Sequence, residues 1–213
     1  MSRKKLAKLR YDYSNTPLEE AQASLDPFQQ FESWFGQALN AGFEVPNAMA
    51  VATAHRGKPS VRIVLLKDYT REGFVFFTHY TSAKGRALAA NPNTEILFYW
   101  PEIERQIRIT GRTAKISAAQ STEYFHSRPR QSQIGALASD QSRPLENRAT
   151  LETACAAIER KFAGKPLPRP ATWGGYILKP QRFEFWQGRP SRLHDRLIYL
   201  KKGSRWIRER LYP

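Results

Sequence analysis

Three β-branched or leucine-rich runs follow one another between Ala48 and Thr78, with only turn-forming residues between them. Ala48 to Ala54 is small, apolar and uncharged. Ser60 to Lys67 reads SVRIVLLK, and Phe74 to Thr78 is the third run. His55-Arg56-Gly57-Lys58-Pro59 and the polar stretch from Asp68 to Gly73 are turns. Short strands joined by such turns read as an antiparallel meander. Strand chemistry returns at Thr94 to Trp100, Gln106 to Ile116, Gly175 to Leu178, Arg182 to Trp186, Arg196 to Leu200 and Arg205 to Leu211.

Helical spacing is equally plain in places. Asp26-Pro27 reads as an N-cap with proline at the first helical position. Phe28, Phe31, Trp34, Phe35, Ala38 and Leu39 then recur on one face, and Gly42 stops the pattern. Shorter helices are expected over Ser82 to Ala90 and Ala118 to Phe125. A longer one is expected over Leu145 to Phe162, with Leu151, Ala154, Cys155, Ile158 and Phe162 on one side. Arg128 to Arg143 reads as a polar stretch and Lys165 to Pro170 as a stiff connector. About eight strands with three or four helices make the chain α+β, mainly β, of the barrel or sandwich kind. Residues 1–24 read as a mobile basic arm, and residues 25–213 as a single domain.

Composition narrows the class. With 41% hydrophobic and 12% aromatic residues, the 213-residue chain is not disordered in bulk. No apolar run approaches the ~18 residues of a membrane span, and the N-terminus lacks the apolar core of a secretory signal. One cysteine, Cys155, excludes an internal disulfide and fits a reducing compartment, most simply the cytoplasm. On the apolar side of its helix, Cys155 reads as a buried structural thiol. The net charge of +15 attracts polyanions and small phosphorylated ligands alike. Its basic residues are spread along the whole chain, which weakens a nucleic-acid reading. No G-x-G-x-x-G after a strand, no phosphate-binding G-x-x-x-x-G-K-[ST] loop and no G-x-S-x-G elbow occurs. Four scattered histidines and one cysteine build no ordinary zinc site, so no metal is expected.

Three constellations carry chemistry. In Arg62-Ile63-Val64-Leu65-Leu66-Lys67, strand alternation puts Arg62, Val64 and Leu66 on one face and Ile63, Leu65 and Lys67 on the other. This is an edge strand with snorkelling charges, or a strand whose ends grip anionic groups. Tyr124 and Arg128 share a helix face if the helix reaches Arg128, with Ser132 in the next turn. Guanidinium plus hydroxyls suits a phosphomonoester, although Arg128 with Pro129 also reads as an ordinary helix end. Trp186 to Arg196 holds His194 among arginines, which should lower the imidazole pKa. It is a planar-ligand platform or a solvated loop between strands.

Taken in order, RIVLLK at 62–67, YFHSRPRQSQIGA at 124–136, QS at 141–142, WGGY at 173–176, FEFWQG at 183–188 and RLHDR at 192–196 resemble the pyridoxine (pyridoxamine) 5′-phosphate oxidase family. The likeness runs from about Leu25 to Pro213 and includes the terminal strand RWIRERLYP. It implies an FMN-binding split β-barrel with flanking helices, with FMN at the interface of a homodimer. It implies oxidation of pyridoxine or pyridoxamine 5′-phosphate to pyridoxal 5′-phosphate, by hydride transfer from substrate C4′ to flavin N5. Oxygen is the final acceptor, giving hydrogen peroxide. Carried over by motif, the FMN contacts are Arg62, Ile63, Val64, Leu65, Leu66, Lys67, Phe77, Thr78, Lys84, Gln106, Gln141, Ser142, Trp186 and Arg196. Substrate contacts are Lys67, Tyr124, Arg128, Ser132, Arg192 and His194, the last two lying nearest the chemistry. Arg10 and Tyr13 look like the family's R-x-x-Y segment, which can fold over the site. Where the family usually has Ser-Arg-Lys, this chain has Ser82-Ala83-Lys84. FMN then leans on Lys84 and Arg62, or on Arg86. The rival readings are another FMN-binding split-barrel reductase or flavin store, and a basic nucleic-acid-binding protein.

Overall fold

The computed structural model describes residue 8, residues 11–14 and residues 16–213. Nine strands and five helices of eight or more residues are seen among them. Chain order is α1 (Pro27–Asn40), β1 (Ala48–His55), β2 (Lys58–Leu65), β3 (Asp68–Thr70), β4 (Gly73–His79), α2 (Ala83–Ala90), β5 (Asn93–Trp100) and β6 (Arg105–Lys115). There follow α3 (Ala118–Ser127), α4 (Arg130–Ala138), α5 (Arg148–Lys161), β7 (Trp173–Gln187), β8 (Asp195–Lys202) and β9 (Arg205–Arg210). Hydrogen-bonded neighbours run β2-β1-β5-β6-β7-β4-β3, with β8 pairing β7 and β9.

The described residues fall into two compact units. The first holds the described residues up to Met49, with Ile96–Thr110 and Gln181–Pro213. Its core is aromatic because α1 puts a ring on each turn of one face. Asp26 caps that helix by accepting the Phe28 N–H at 2.9 Å. Phe31 meets Phe98 at 5.4 Å, and Trp34 meets Phe185 at 5.3 Å edge-on. On the far side Phe185 packs on Tyr199 at 5.5 Å. β7 and β8 set these rings in register, pairing Phe183 with Tyr199 and Phe185 with Leu197. Edge-to-face pairs of this kind add to the area they bury.

The second unit holds Ala50–Glu95 and Gly111–Pro180. There β4 pairs with the first half of β7, Phe77 opposite Gly175 and His79 opposite Trp173. Phe125, Ile134, Ala136, Leu167 and Trp173 form its apolar cluster, against which Cys155, Ile158 and Phe162 of the α5 end pack. Cys155 is accordingly half-buried rather than fully enclosed.

Three elements differ from the sequence reading. Asp68–Thr70 is a short strand paired with β4, not wholly a turn. Arg130–Ala138 is a helix, held by Ile134 and Ala136 in the apolar cluster despite its polar sequence. Gly175 to Trp186 is one strand rather than two, running through Pro180. Gly111 permits that last feature, since a Cβ there would lie 2.1 Å from the Lys179 carbonyl oxygen. Gly111→Ala should therefore cost about 3 kcal/mol and lower the melting temperature by roughly 10 °C. Calorimetry showing an unchanged melting temperature would contradict this packing.

Candidate functional site

Two groups of predicted residues are assembled, one in each unit. In the second unit, β2, the end of β4, α2 and the α3–α4 corner line a cavity of about 300 Å³. Ile63, Val64, Leu65 and Lys67 enter it from β2 and the residues after it, and Phe77, Thr78 and His79 from β4. Lys84, Tyr124, Arg128, Gln141 and Trp173 complete it. Leu66 is buried and does not line it.

The lining contains three cations and no carboxylate. Ser82 caps α2 by accepting the Gly85 N–H at 3.2 Å, which places Lys84 in the first turn. The Lys84 ammonium donates to Thr78 Oγ1 at 3.1 Å, and the Thr78 hydroxyl to Gln141 Oε1 at 2.9 Å. Burial, and then Arg62 nearby, push the Lys84 pKa down. Arg62 lies outside the lining but is also half-buried. It donates to the Val51 carbonyl at 3.0 Å and to Thr53 Oγ1 at 2.9 Å. Arg86 does not line the cavity and donates to the Thr81 carbonyl.

Helix α3 stops at Ser127, and Arg128 is its extended C-cap, because Pro129 disfavours helical geometry in the residue before it. Tyr124 and Arg128 nonetheless converge through a third residue. Tyr124 stacks on Phe77 at 3.8 Å, and Trp173 lies parallel to Tyr124 at 6.2 Å. The Arg128 guanidinium sits 4.7 Å from the Trp173 ring centre. Its Nη1 is buried with no hydrogen-bond partner among the described residues, and burial lowers its pKa. A buried cationic donor without an acceptor is costly, and an anionic ligand removes that cost. Ser132 follows in the first turn of α4, half-buried and outside the cavity lining; Ser142 is exposed with φ +73°.

The sequence reading missed His79 and Trp173 as cavity residues. His79 lies two residues beyond Phe77 on the same strand face, which was the available signal. It is 6% exposed, and burial lowers its pKa, opposed by nearby Asp140 and reinforced by Lys84 and Arg128. A larger cavity of about 970 Å³ shares Lys67, Phe77 and Tyr124. Its remaining charges balance, Arg71, Lys115 and Lys179 against Asp68, Glu72 and Glu123. The smaller, acid-free cavity is the better anion site.

In the first unit, Trp186 and His194 lie 4.7 Å apart, and Tyr13 stands edge-on to both, at 5.5 and 5.1 Å. Arg10 lies outside the described residues. The 188–194 loop carries two consecutive left-handed residues, Ser191 at φ +55° and Arg192 at φ +62°. Non-glycine residues hold that conformation only when their surroundings impose it. Arg192 is exposed. Arg196, opposite Trp186 in the β7–β8 ladder, donates to the buried Glu184 at 2.8 and 3.0 Å. Arg182 and Arg108 also pair with Glu184. Gln106 is half-buried on β6.

His194 Nδ1 accepts the Arg189 N–H at 3.1 Å, so the neutral ring carries its proton on Nε2. Burial and then Arg192 lower its pKa below the usual 6.5. The neutral, loop-ordering form thus persists at neutral pH and is lost as pH falls through that lowered value. An NMR titration of the His194 ring should give a midpoint below 6.5, moving upward in Arg192→Ala. A midpoint that ignores Arg192 would contradict the assignment.

Comparison with known proteins follows the same lines. A family model described as pyridoxamine 5′-phosphate oxidase matches residues 35–162. One described as the pyridoxine 5′-phosphate oxidase C-terminal dimerisation region matches residues 173–213. The pyridoxine/pyridoxamine 5′-phosphate oxidase of Rubrobacter xylanophilus is 51% identical over 100% of this chain and 98% of its own. The protein of the same name from Paraburkholderia phytofirmans is 53% identical over 98% of this chain and 99% of its own. Among solved structures, PhzG from Burkholderia lata, in complex with tetrahydrophenazine-1-carboxylic acid, superposes with a TM-score of 0.88. It is 32% identical and covers 94% of this chain and 100% of its own. A pyridoxamine 5′-phosphate oxidase-related, FMN-binding protein from Nostoc punctiforme shares the fold, with a TM-score of 0.69 at 17% identity over 89% of this chain and 99% of its own.

Proposed function

The chain belongs to the pyridoxamine 5′-phosphate oxidase family, and from that premise we propose that it oxidises pyridoxine or pyridoxamine 5′-phosphate to pyridoxal 5′-phosphate. The class of enzyme is an FMN-dependent oxidase of split-barrel fold. Bound FMN supplies the hydride-accepting and oxygen-reducing chemistry. The balance with the alcohol is substrate plus O2 to aldehyde plus H2O2; with the amine, one water enters and ammonia leaves.

The single observation that carries the substrate class is the acid-free cavity with its orphaned Arg128 Nη1. Its charge suits a phosphomonoester dianion. Arg62, Lys84, Thr78 and Gln141 hold the FMN phosphate, with Ile63, Val64 and Leu65 along its length. Lys67, Tyr124, Arg128 and Ser132 hold the substrate phosphate. That grip fixes orientation, which is the protein's main contribution to the rate. On this reading Gln106, Trp186 and Arg196 contact FMN, and Tyr13, Arg192 and His194 the substrate ring. His194 presents Nε2–H as a donor there. Two copies assemble, a reading supported by the dimerisation-region match over residues 173–213. No helix among the described residues is long and apolar enough to cross a membrane; with one cysteine, a reducing cytoplasm suits the chain.

The ligand of PhzG gives a second reading, a tricyclic carboxylate. One carboxylate neutralises less of the Lys67–Arg128 pair left to the substrate than a phosphate dianion does. The test compares peroxide production from pyridoxine 5′-phosphate, from pyridoxine without its phosphate and from a tetrahydrophenazine carboxylate. Turnover confined to the phosphate ester is expected. Equal turnover of unphosphorylated pyridoxine, or preference for the tricycle, would overturn the assignment.

A further inference from the structure

Glu104 was singled out by no motif, yet it holds two segments of the first unit together. It is 2% exposed and stands at φ +55°, ψ 40°, just after the short turn Pro101–Ile103. Its main-chain oxygen accepts the Gly188 N–H at 2.8 Å and Gln187 Nε2 at 3.2 Å. Those contacts fix the start of the loop that carries Arg192 and His194. Its carboxylate accepts the Ser14 N–H at 3.0 and 3.3 Å. The Tyr11 hydroxyl also donates to it, and that bond raises the Tyr11 pKa.

Between those two arm contacts, Tyr13 is delivered onto Trp186 and His194. Space for its ring is made by Gly188, where a Cβ would lie 2.4 Å from Tyr13 Cδ1 and 3.0 Å from Glu104 Cβ. Beneath the arm is a cavity of about 260 Å³, lined by Tyr11, Asp12 and Tyr13 on one side and Arg189, Ser191 and Arg192 on the other. With the arm seated, the Ser14 N–H and the Tyr11 hydroxyl supply donors to a carboxylate that is buried there.

We propose that Glu104 is a positioning residue that seats the 11–14 segment on the Trp186–His194 face and so sets Tyr13 over the reacting ring. The seating is independent of the oxidase reading; its kinetic consequence rests on that reading.

The test uses the full chain with FMN; the exchange arm compares Glu104→Ala, Glu104→Gln and Gly188→Ala, and the kinetic arm adds Tyr13→Ala and the Glu104→Ala/Tyr13→Ala double variant. Hydrogen exchange of the 11–18 region should quicken at least tenfold in Glu104→Ala. It should quicken less in Glu104→Gln, which keeps one acceptor. It should also quicken in Gly188→Ala, where Glu104 is intact but the Tyr13 ring is displaced. Exchange across β8 should stay unchanged in all three. Unaltered arm exchange in Glu104→Ala overturns the proposal, and so does equal loosening of β8, which marks general structural damage. In the kinetic arm, Glu104→Ala should raise KM for pyridoxine 5′-phosphate about tenfold and add less than twofold to Tyr13→Ala. Full additivity, or an unchanged KM with a freed arm, overturns the positioning role. If the wild-type chain does not turn over that substrate, the exchange measurements still decide the seating, and the failure belongs to the functional assignment alone.

Discussion

Arg128→Ala should raise KM for pyridoxine 5′-phosphate by about 100-fold while leaving kcat within a few-fold and FMN bound. On the proposed assignment the guanidinium would bring a charge and a planar pair of donors to one phosphate, and such charge-assisted bonds are worth about 1.5–3 kcal/mol each. Losing about 3 kcal/mol of binding corresponds to the expected 100-fold. Arg128→Lys should recover only part of it. An ammonium retains charge but neither forks onto two oxygens nor lies flat 4.7 Å from the Trp173 ring centre. Steady-state kinetics with the flavin content checked by absorbance separates these effects. A turnover defect at unchanged KM would remove Arg128 from the phosphate grip.

Lys84→Met should weaken FMN binding by about 100-fold, again about 3 kcal/mol for a lost cation–phosphate contact. The sign of its effect on stability should differ between the two forms. Lys84 is a half-buried cation beside Arg62 that donates to Thr78 Oγ1 and has no carboxylate partner among the described residues. Replacing it by a similar-sized apolar chain should leave the apoprotein as stable or more so. With FMN, the variant should lose most of the ligand's stabilisation, since that depends on affinity. Fluorescence titration of FMN and melting curves with and without it check both halves. Lower apoprotein stability with unchanged FMN affinity would make Lys84 a structural residue.

Local signals were legible where one element decides its own structure. Asp26-Pro27 and the ring spacing of α1 marked that helix to within a residue of its end. Alternation along 61–67 matches burial, with Arg62, Val64 and Leu66 less exposed than Ile63, Leu65 and Lys67, although Val64 still lines the cavity. Helix α4 was not legible, because Arg130 to Gln133 is polar and only Ile134 and Ala136, packed on a cluster assembled from distant segments, hold it. Continuity of β7 through Pro180 was hidden for a similar reason: it depends on Gly111, about seventy residues earlier in the chain.

The candidate site divides in the same way. Arg62, Lys84, Tyr124 and Arg128 stood out as charges or hydroxyls in motifs. The Phe77–Tyr124–Trp173 stack, which gives Arg128 its surface, joins three separate elements and has no sequence spacing. Glu104 was invisible for the same reason, since its partners Ser14 and Gly188 lie 90 residues before it and 84 after it.

The central claim is that this chain uses FMN to oxidise a phosphorylated B6 vitamer. It is tested most directly by adding pyridoxine 5′-phosphate to the FMN-loaded protein without oxygen and following visible absorbance. Bleaching of the flavin band by one equivalent of substrate, with recovery and one equivalent of peroxide on admitting air, is the predicted result. Flavin that is bound but stays oxidised in the presence of saturating substrate would contradict it.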